Sequence, residues 1–206
     1  WYSLTAGFAY PVLIFSNLEP DRDTYAHSIN AAGTGDFPTI QDALNGSLAG
    51  HVIVLADGVY TGPDNTNIHV SYSNHHWIVS ESGDPAACII DGEGANTGIR
   101  FSGDDYDEAS DACSGLAGIG IVNCYREGVM DSYGAGIRVD DASPTISDCV
   151  ISGCSAWSYM GSTYGAAVAC ENGARPILLN CTIAGSMAGN GGGLACLSAV
   201  GDTTSP

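Results

Sequence analysis

Arg138, Asp140 and Asp141 bring a guanidinium and two carboxylates into one short segment, Arg-Val-Asp-Asp. In a strand, residues two apart share a face, so Arg138 and Asp140 face outward together as a candidate acid/base or cation site. A strand end followed by an Asp-Asp-Ala-Ser turn explains the same residues more simply. Asp104, Asp105, Asp107, Glu108 and Asp111 supply the hard oxygens that calcium takes. Their spacing is not that of an EF-hand, and a solvated acidic loop is the simpler reading. His75-His76-Trp77 offers a metal or sugar-stacking site, weakened because adjacent strand residues point to opposite faces. A turn leading into an apolar strand accounts for it. Asn45-Gly-Ser47 and Asn180-Cys-Thr182 match the N-glycosylation sequon, with Asn180 also suited to a tight turn.

Cysteines 88, 113, 124, 149, 154, 170, 181 and 196 form no paired C-x-x-C and have no histidine at zinc-ligand spacing. Disulfides or buried thiols remain. Their even number, in a chain rich in Gly, Ser, Thr and Asn and free of lysine, points outside the cell. The 206 residues are 45% apolar, enough for one domain with its own core. A net charge of −18, with five arginines and no lysine, disfavours nucleic acid and anionic membrane surfaces. No stretch approaches the ~18 apolar residues of a membrane span. The apolar stretch Leu4 to Phe15 lacks a basic flank, so an intact signal peptide is not expected there.

These residues are positioned by repeats. Ser143-Pro-Thr-Ile-Ser-Asp-Cys-Val-Ile-Ser-Gly-Cys154 returns 32 residues later as Arg175-Pro-Ile-Leu-Leu-Asn-Cys-Thr-Ile-Ala-Gly-Ser186. Ile119-Gly-Ile-Val-Asn-Cys124 is a weaker copy, which sets Asn123 and Cys124 against Asp148-Cys149 and Asn180-Cys181. A second module is glycine-led: Gly134 to Val139, Gly165 to Cys170 and Gly191 to Cys196. Its alternation places Ile137/Val139, Val168/Cys170 and Leu194/Cys196 on one face, the period of a strand. Strands this short bury a face only by stacking, about 4.8 Å apart, so each repeat is one turn of a solenoid. Residues 157 to 164 are an insertion. Stacking makes Cys170 and Cys196 one disulfide candidate and Cys124, Cys149 and Cys181 a column from which another pair, Cys124 and Cys149, is drawn.

Upstream, Thr39 is placed to cap a helix over about 39 to 46. His51 to Tyr60, Asn67 to Val70, Trp77 to Val79, Cys88 to Ile90 and Gly98 to Phe101 then read as strands. The lead Asp36-Phe-Pro-Thr-Ile-Gln-Asp-Ala43 followed by Asp57-Gly-Val-Tyr60 resembles the N-terminal cap and first coil of the pectin-lyase-like β-helix superfamily. The Ser-Pro-Thr-Ile-Ser-Asp-Cys and Gly-Gly-Gly-Leu modules resemble secreted repeat proteins of the polymorphic outer-membrane protein type. The resemblance spans about residues 31 to 198. It implies an all-β, right-handed parallel β-helix with a short N-terminal capping helix. In this superfamily's enzymes, acidic residues with an arginine or calcium line an outer cleft, but no family catalytic signature surrounds Arg138, Asp140 and Asp141.

Residues 1–30 are expected to form an N-terminal arm and 31–206 the β-helix domain. The arm alternates Phe8, Tyr10, Val12 and Ile14, while the last rung, with Leu194 and Cys196, has no closing segment after it. An apolar strand and an open edge suit donation from one subunit to the next. The expected function is a non-catalytic extracellular or surface structural protein, a filament subunit that self-associates into a homopolymer, with no required cofactor and calcium as the candidate ion. The alternative is a polysaccharide-active enzyme, or a carbohydrate-binding or adhesin module with a glycan partner.

Overall fold

The computed structural model describes residues 26–71, 75–103 and 114–197. It opens with β1 (Ala26–Ile29), so four residues assigned to the arm by sequence belong to the first sheet, paired in parallel with β2 (Val52–Leu55). Between them lies helix α1 (Ile40–Gly46). Its N-cap, Thr39, accepts a hydrogen bond from the Asp42 N–H at 3.1 Å, and Ile40, Ala43 and Leu44 are buried.

From β2 the chain visits three parallel sheets in fixed rotation. The first circuit is β2, β3 (Gly58–Tyr60) and β4 (Ile68–Ser71). The second is β5 (Trp77–Ser80), β6 (Cys88–Asp91) and β7 (Ile99–Ser102). The third runs β8 (Gly115–Ala117), β9 (Gly120–Val122), an insertion with β10 (Tyr125–Gly128) and β11 (Ser132–Tyr133), then β12 (Ile137–Asp140). The fourth repeats that plan with β13 (Thr145–Ser147), β14 (Val150–Ser152), β15 (Ser155–Ser158), β16 (Thr163–Tyr164) and β17 (Val168–Glu171). The fifth is β18 (Ile177–Leu179), β19 (Thr182–Ala184) and β20 (Leu194–Cys196).

The sheets read β1-β2-β5-β8-β13-β18, β3-β6-β9-β14-β19 and β4-β7-β12-β17-β20. Their register stacks like on like. Ile53, Ile78, Leu116, Ile146 and Leu178 make one column, and Tyr60, Ile90, Ile121, Ile151 and Ile183 another. Ile68, Ile99, Ile137, Val168 and Leu194 make a third, beside Val70, Phe101, Val139, Cys170 and Cys196. Each fully buried Ile, Leu or Val contributes about 1.5–3 kcal/mol, which is why strands of three or four residues suffice.

Corners are cut by single left-handed residues. Gly118, Asp148 and Asn180 (φ 69°, 53° and 51°) turn the chain from the first sheet to the second. Asn123, Gly153 and Gly185 (φ 52°, 64° and 60°) turn it out of the second. Glycine and asparagine tolerate this backbone, glycine for want of a Cβ and asparagine through local hydrogen bonds. Asn123 therefore does not stack with Asp148 and Asn180, as the repeat alignment had it. Register places Tyr125 against Ser155 and Val150 against Thr182, so Cys124 meets Cys154 and Cys149 meets Cys181. The single column of Cys124, Cys149 and Cys181 is replaced by two columns at different corners, and Cys124 and Cys149 are not partners. The alignment followed the shared Asn/Asp-Cys pair, which occurs at both corners. His51 to Tyr60, read as one strand, is broken into β2 and β3 by a turn at Ala56 and Asp57.

Candidate functional site

The alternation of the third sheet sends His69, Arg100, Arg138, Ala169 and Ala195 outward in one register. Arg100 and Arg138 occupy equivalent places because Gly98-Ile-Arg-Phe and Gly136-Ile-Arg-Val are the same strand one circuit apart. Both reach Asp140, at 2.7 Å from Arg100 and 3.4 Å from Arg138. Asn172 donates to the other Asp140 oxygen at 2.6 Å. Arg138 also forks onto Glu171, with Nε on Oε1 and Nη2 3.2 Å from Oε2. Burial, the largest single influence on Asp140, raises its pKa. The hydrogen bonds from Asn172 and Arg100 and the charges of Arg138 and Arg100 together outweigh it, and hold the carboxyl below its ordinary 3.8. A carboxylate so engaged is a weak base.

Asp140 is as expected on the outward face with Arg138. Asp141 departs from it into the corner (φ 52°), where its N–H donates to the Glu171 carbonyl at 3.2 Å.

The insertions of circuits three and four stack into a ledge beside this face, β10 on β15 and β11 on β16. Tyr133 and Tyr164 stack with centroids 5.5 Å apart and planes 11° from parallel, and the Arg138 guanidinium lies 5.8 Å from the Tyr133 ring centre. Arg126 rises from β10. Burial lowers its pKa, and so do the neighbouring charges of Arg138 and Arg100. It has no ion-pair partner among the described residues. An open groove of about 410 Å³ runs past it, lined by Asn67, Ala95, Thr97, Tyr125, Arg126 and Glu127. Three of the five arginines of a strongly acidic chain thus converge on one flank. The ledge tip exposes Val129, Met130, Trp157, Tyr159 and Met160. Sequence reading marked residues 157–164 but missed that they stack on a sibling insertion, so Arg126, Tyr133 and Tyr164 had no signal. Arg100 had one, in the repeated Gly-Ile-Arg.

The two ends of the stack differ. At one, α1 packs on β1, β2 and β4. At the other, Leu194 is 46% exposed although its register partner Val168 is fully buried, and Cys196 is exposed above buried Cys170. Ile177 and Leu179, the outward residues of β18, are 50% and 37% exposed.

Among the described residues no three His, Cys, Asp or Glu side chains group to hold an ion. His75 sits in a corner (φ 50°), and buried His76 places Nε2 3.1 Å from the Leu48 carbonyl. Asn45 is exposed on α1 and accepts from the Gln41 amide, while Asn180 donates to Asp148 at 2.6 Å as part of its corner. The candidate calcium residues Asp104, Asp105, Asp107, Glu108 and Asp111, and the arm residues Phe8, Tyr10, Val12 and Ile14, lie outside the described residues. No described helix is long and apolar enough to cross a membrane. The chain matches no family model, no curated protein and no solved structure.

Proposed function

We propose that the three sheets wind as a right-handed parallel β-helix of the pectin-lyase-like kind, and that the protein is a non-catalytic extracellular structural subunit extended by strand addition at its fifth circuit. Right-handed winding is what parallel strands joined by crossovers adopt in nearly every case. The observation that carries the assembly reading is the fifth circuit itself. Leu178, Ile183 and Leu194 continue the buried columns of Ile146, Ile151 and Val168, yet Leu194 stands 46% exposed. An unpaired strand edge with apolar side chains is a template for another strand.

Because α1 covers the other end, two β-helices do not stack directly through like circuits. The occupant is instead the apolar stretch Ala6 to Phe15 of a second copy, with Phe8, Tyr10, Val12 and Ile14 laid against Leu194 and Cys196. The engaged state of Asp140 and Glu171 supports a role without catalysis. Negative-stain microscopy and size-exclusion of the full chain and of a version lacking residues 1–16, at low and high salt, test this. Filaments or oligomers that vanish with the arm are expected. Monomers of both versions at both salt concentrations overturn the reading.

The arginine flank favours a second reading, a carbohydrate-binding surface for an acidic glycan. A guanidinium pairs with a uronate carboxylate, and stacked tyrosines offer a flat face to a sugar ring. Calorimetric titration with uronic-acid oligosaccharides should then show saturable binding that Arg126→Ala removes. No binding by the unaltered chain rejects it.

A further inference from the structure

Six cysteines meet in twos across neighbouring circuits. Cys124 and Cys154 stand at successive second-sheet corners, just after left-handed Asn123 and Gly153. Cys149 and Cys181 do the same at the first-sheet corner, after Asp148 and Asn180. Cys170 and Cys196 are register partners in β17 and β20. The Cys181 thiol reaches across to the fourth circuit, where it donates to the Ile146 carbonyl at 3.4 Å. Residues in register on adjacent parallel strands are about 4.8 Å apart, inside the ~4.4–6.8 Å Cα separation of disulfides. Cys88 provides a contrast: its column continues through Ile119, which separates it from Cys149.

We infer that Cys124–Cys154, Cys149–Cys181 and Cys170–Cys196 are sites of three disulfides between circuits, one joining the third circuit to the fourth and two fastening the exposed fifth circuit to the fourth. Their placement matches need. Among the described residues the fifth circuit is packed on one side only, and its inward residues gain least from burial. Two covalent ties hold it where the hydrophobic columns do not.

Oxidation proceeds by exchange with an external disulfide, either a small molecule such as oxidised glutathione or a protein dithiol oxidase. Cys181, half-buried, is the entry point. The neighbouring Cys149 thiol, with backbone N–H groups, brings the Cys181 thiol down to about 7 against the effect of burial, while Cys149 is raised. The Cys181 thiolate attacks one sulfur of the external disulfide, forming a mixed disulfide and expelling one thiolate. Cys149, losing its proton to solvent, attacks the Cys181 sulfur and expels the second. Two protein thiols and one external disulfide become one protein disulfide and two external thiols. Exposed Cys196 serves as the corresponding entry thiol for Cys170.

The test is peptide mapping by mass spectrometry under non-reducing conditions, on the full chain equilibrated in an oxidised/reduced glutathione buffer and alkylated. Cross-linked peptides joining the three named pairs are expected. Full alkylation of the six thiols overturns the inference, as does a Cys124–Cys149 link, the product of a single-column stack. Hydrogen exchange of the same sample gives a second readout. Reduction should speed exchange in β18, β19 and β20 by on the order of a hundredfold while β5, β6 and β7 stay unchanged. Equal rates before and after reduction overturn it too. Because exchange is read on the unaltered chain, the result does not depend on a cysteine variant folding.

Discussion

Gly165 and Gly173 both hold left-handed backbone, at φ +54° and +82°, but only one is crowded. A Cβ on Gly165 would fall 2.2 Å from the Val168 carbonyl oxygen, whereas one on Gly173 meets nothing within 4 Å. Gly173→Ala should therefore cost about 1 kcal/mol, the backbone penalty alone. Gly165→Ala should cost about 3 kcal/mol or more, since the strand itself must shift. Urea midpoints of the two variants compare them directly. The same column explains why glycine leads each third-sheet module: Gly134 and Gly191 are crowded by the carbonyls of Ile137 and Leu194. At the capped end, His27 and His51 lie 3.0 Å apart, and His76 is buried behind them. Burial first, then the charges of neighbouring histidines, lower His76 and His51 below their ordinary 6.5, despite the Leu48 carbonyl that favours a charged His76. The unfolded chain thus takes up protons more readily than the folded one. Their contribution to stability is complete above about pH 6.5 and is lost as the pH falls through that value towards the lowered folded pKa. Thermal melts between about pH 7.5 and about pH 5.5 should show this decline, and His76→Gln should flatten it.

At the scale of elements, the columns predict a gradient of cost along the stack. Ile146 in β13 and Leu178 in β18 are register partners, the first wholly buried and the second partly. In the unassembled monomer, Ile146→Ala should lose about 3–4 kcal/mol and Leu178→Ala about half as much, because a cavity between two circuits cannot collapse as one at an open face can. Equal losses would mean that the fifth circuit is covered in solution. The element pattern was largely legible. Thr39 capping α1, the Ile/Val and Val/Cys alternation of β12 and β17, and the 32-residue return of β13 and β14 as β18 and β19 are all seen in the structure. Each rests on local chemistry, a cap or a two-residue period, that requires no distant partner. The cysteine columns were misread because Asn/Asp-Cys marks two different corners, and only pairing distinguishes them.

The whole chain carries a net charge of −18, so like charges repel across it. Salt screens exposed charges beyond about 8–10 Å at physiological strength, so the melting temperature should rise between about 20 and about 500 mM sodium chloride. A flat or falling temperature would mean that the acidic groups are already paired or bound to cations. The same repulsion opposes association of copies, which makes high salt the condition under which strand addition at the fifth circuit is to be sought.

The sequence by itself determined that short strands stack in parallel, which side chains face inward along β12, β17 and β20, and where the capping helix begins. Those follow from period, turn residues and capping, all properties of neighbours in the chain. Tertiary structure alone decided which corners Cys124, Cys149, Cys154 and Cys181 join, that Arg100, Arg126 and Arg138 converge, and that two insertions fold onto each other as a ledge. Such contacts join residues a full circuit or more apart, and their register is fixed by the sum of the columns rather than by any one segment.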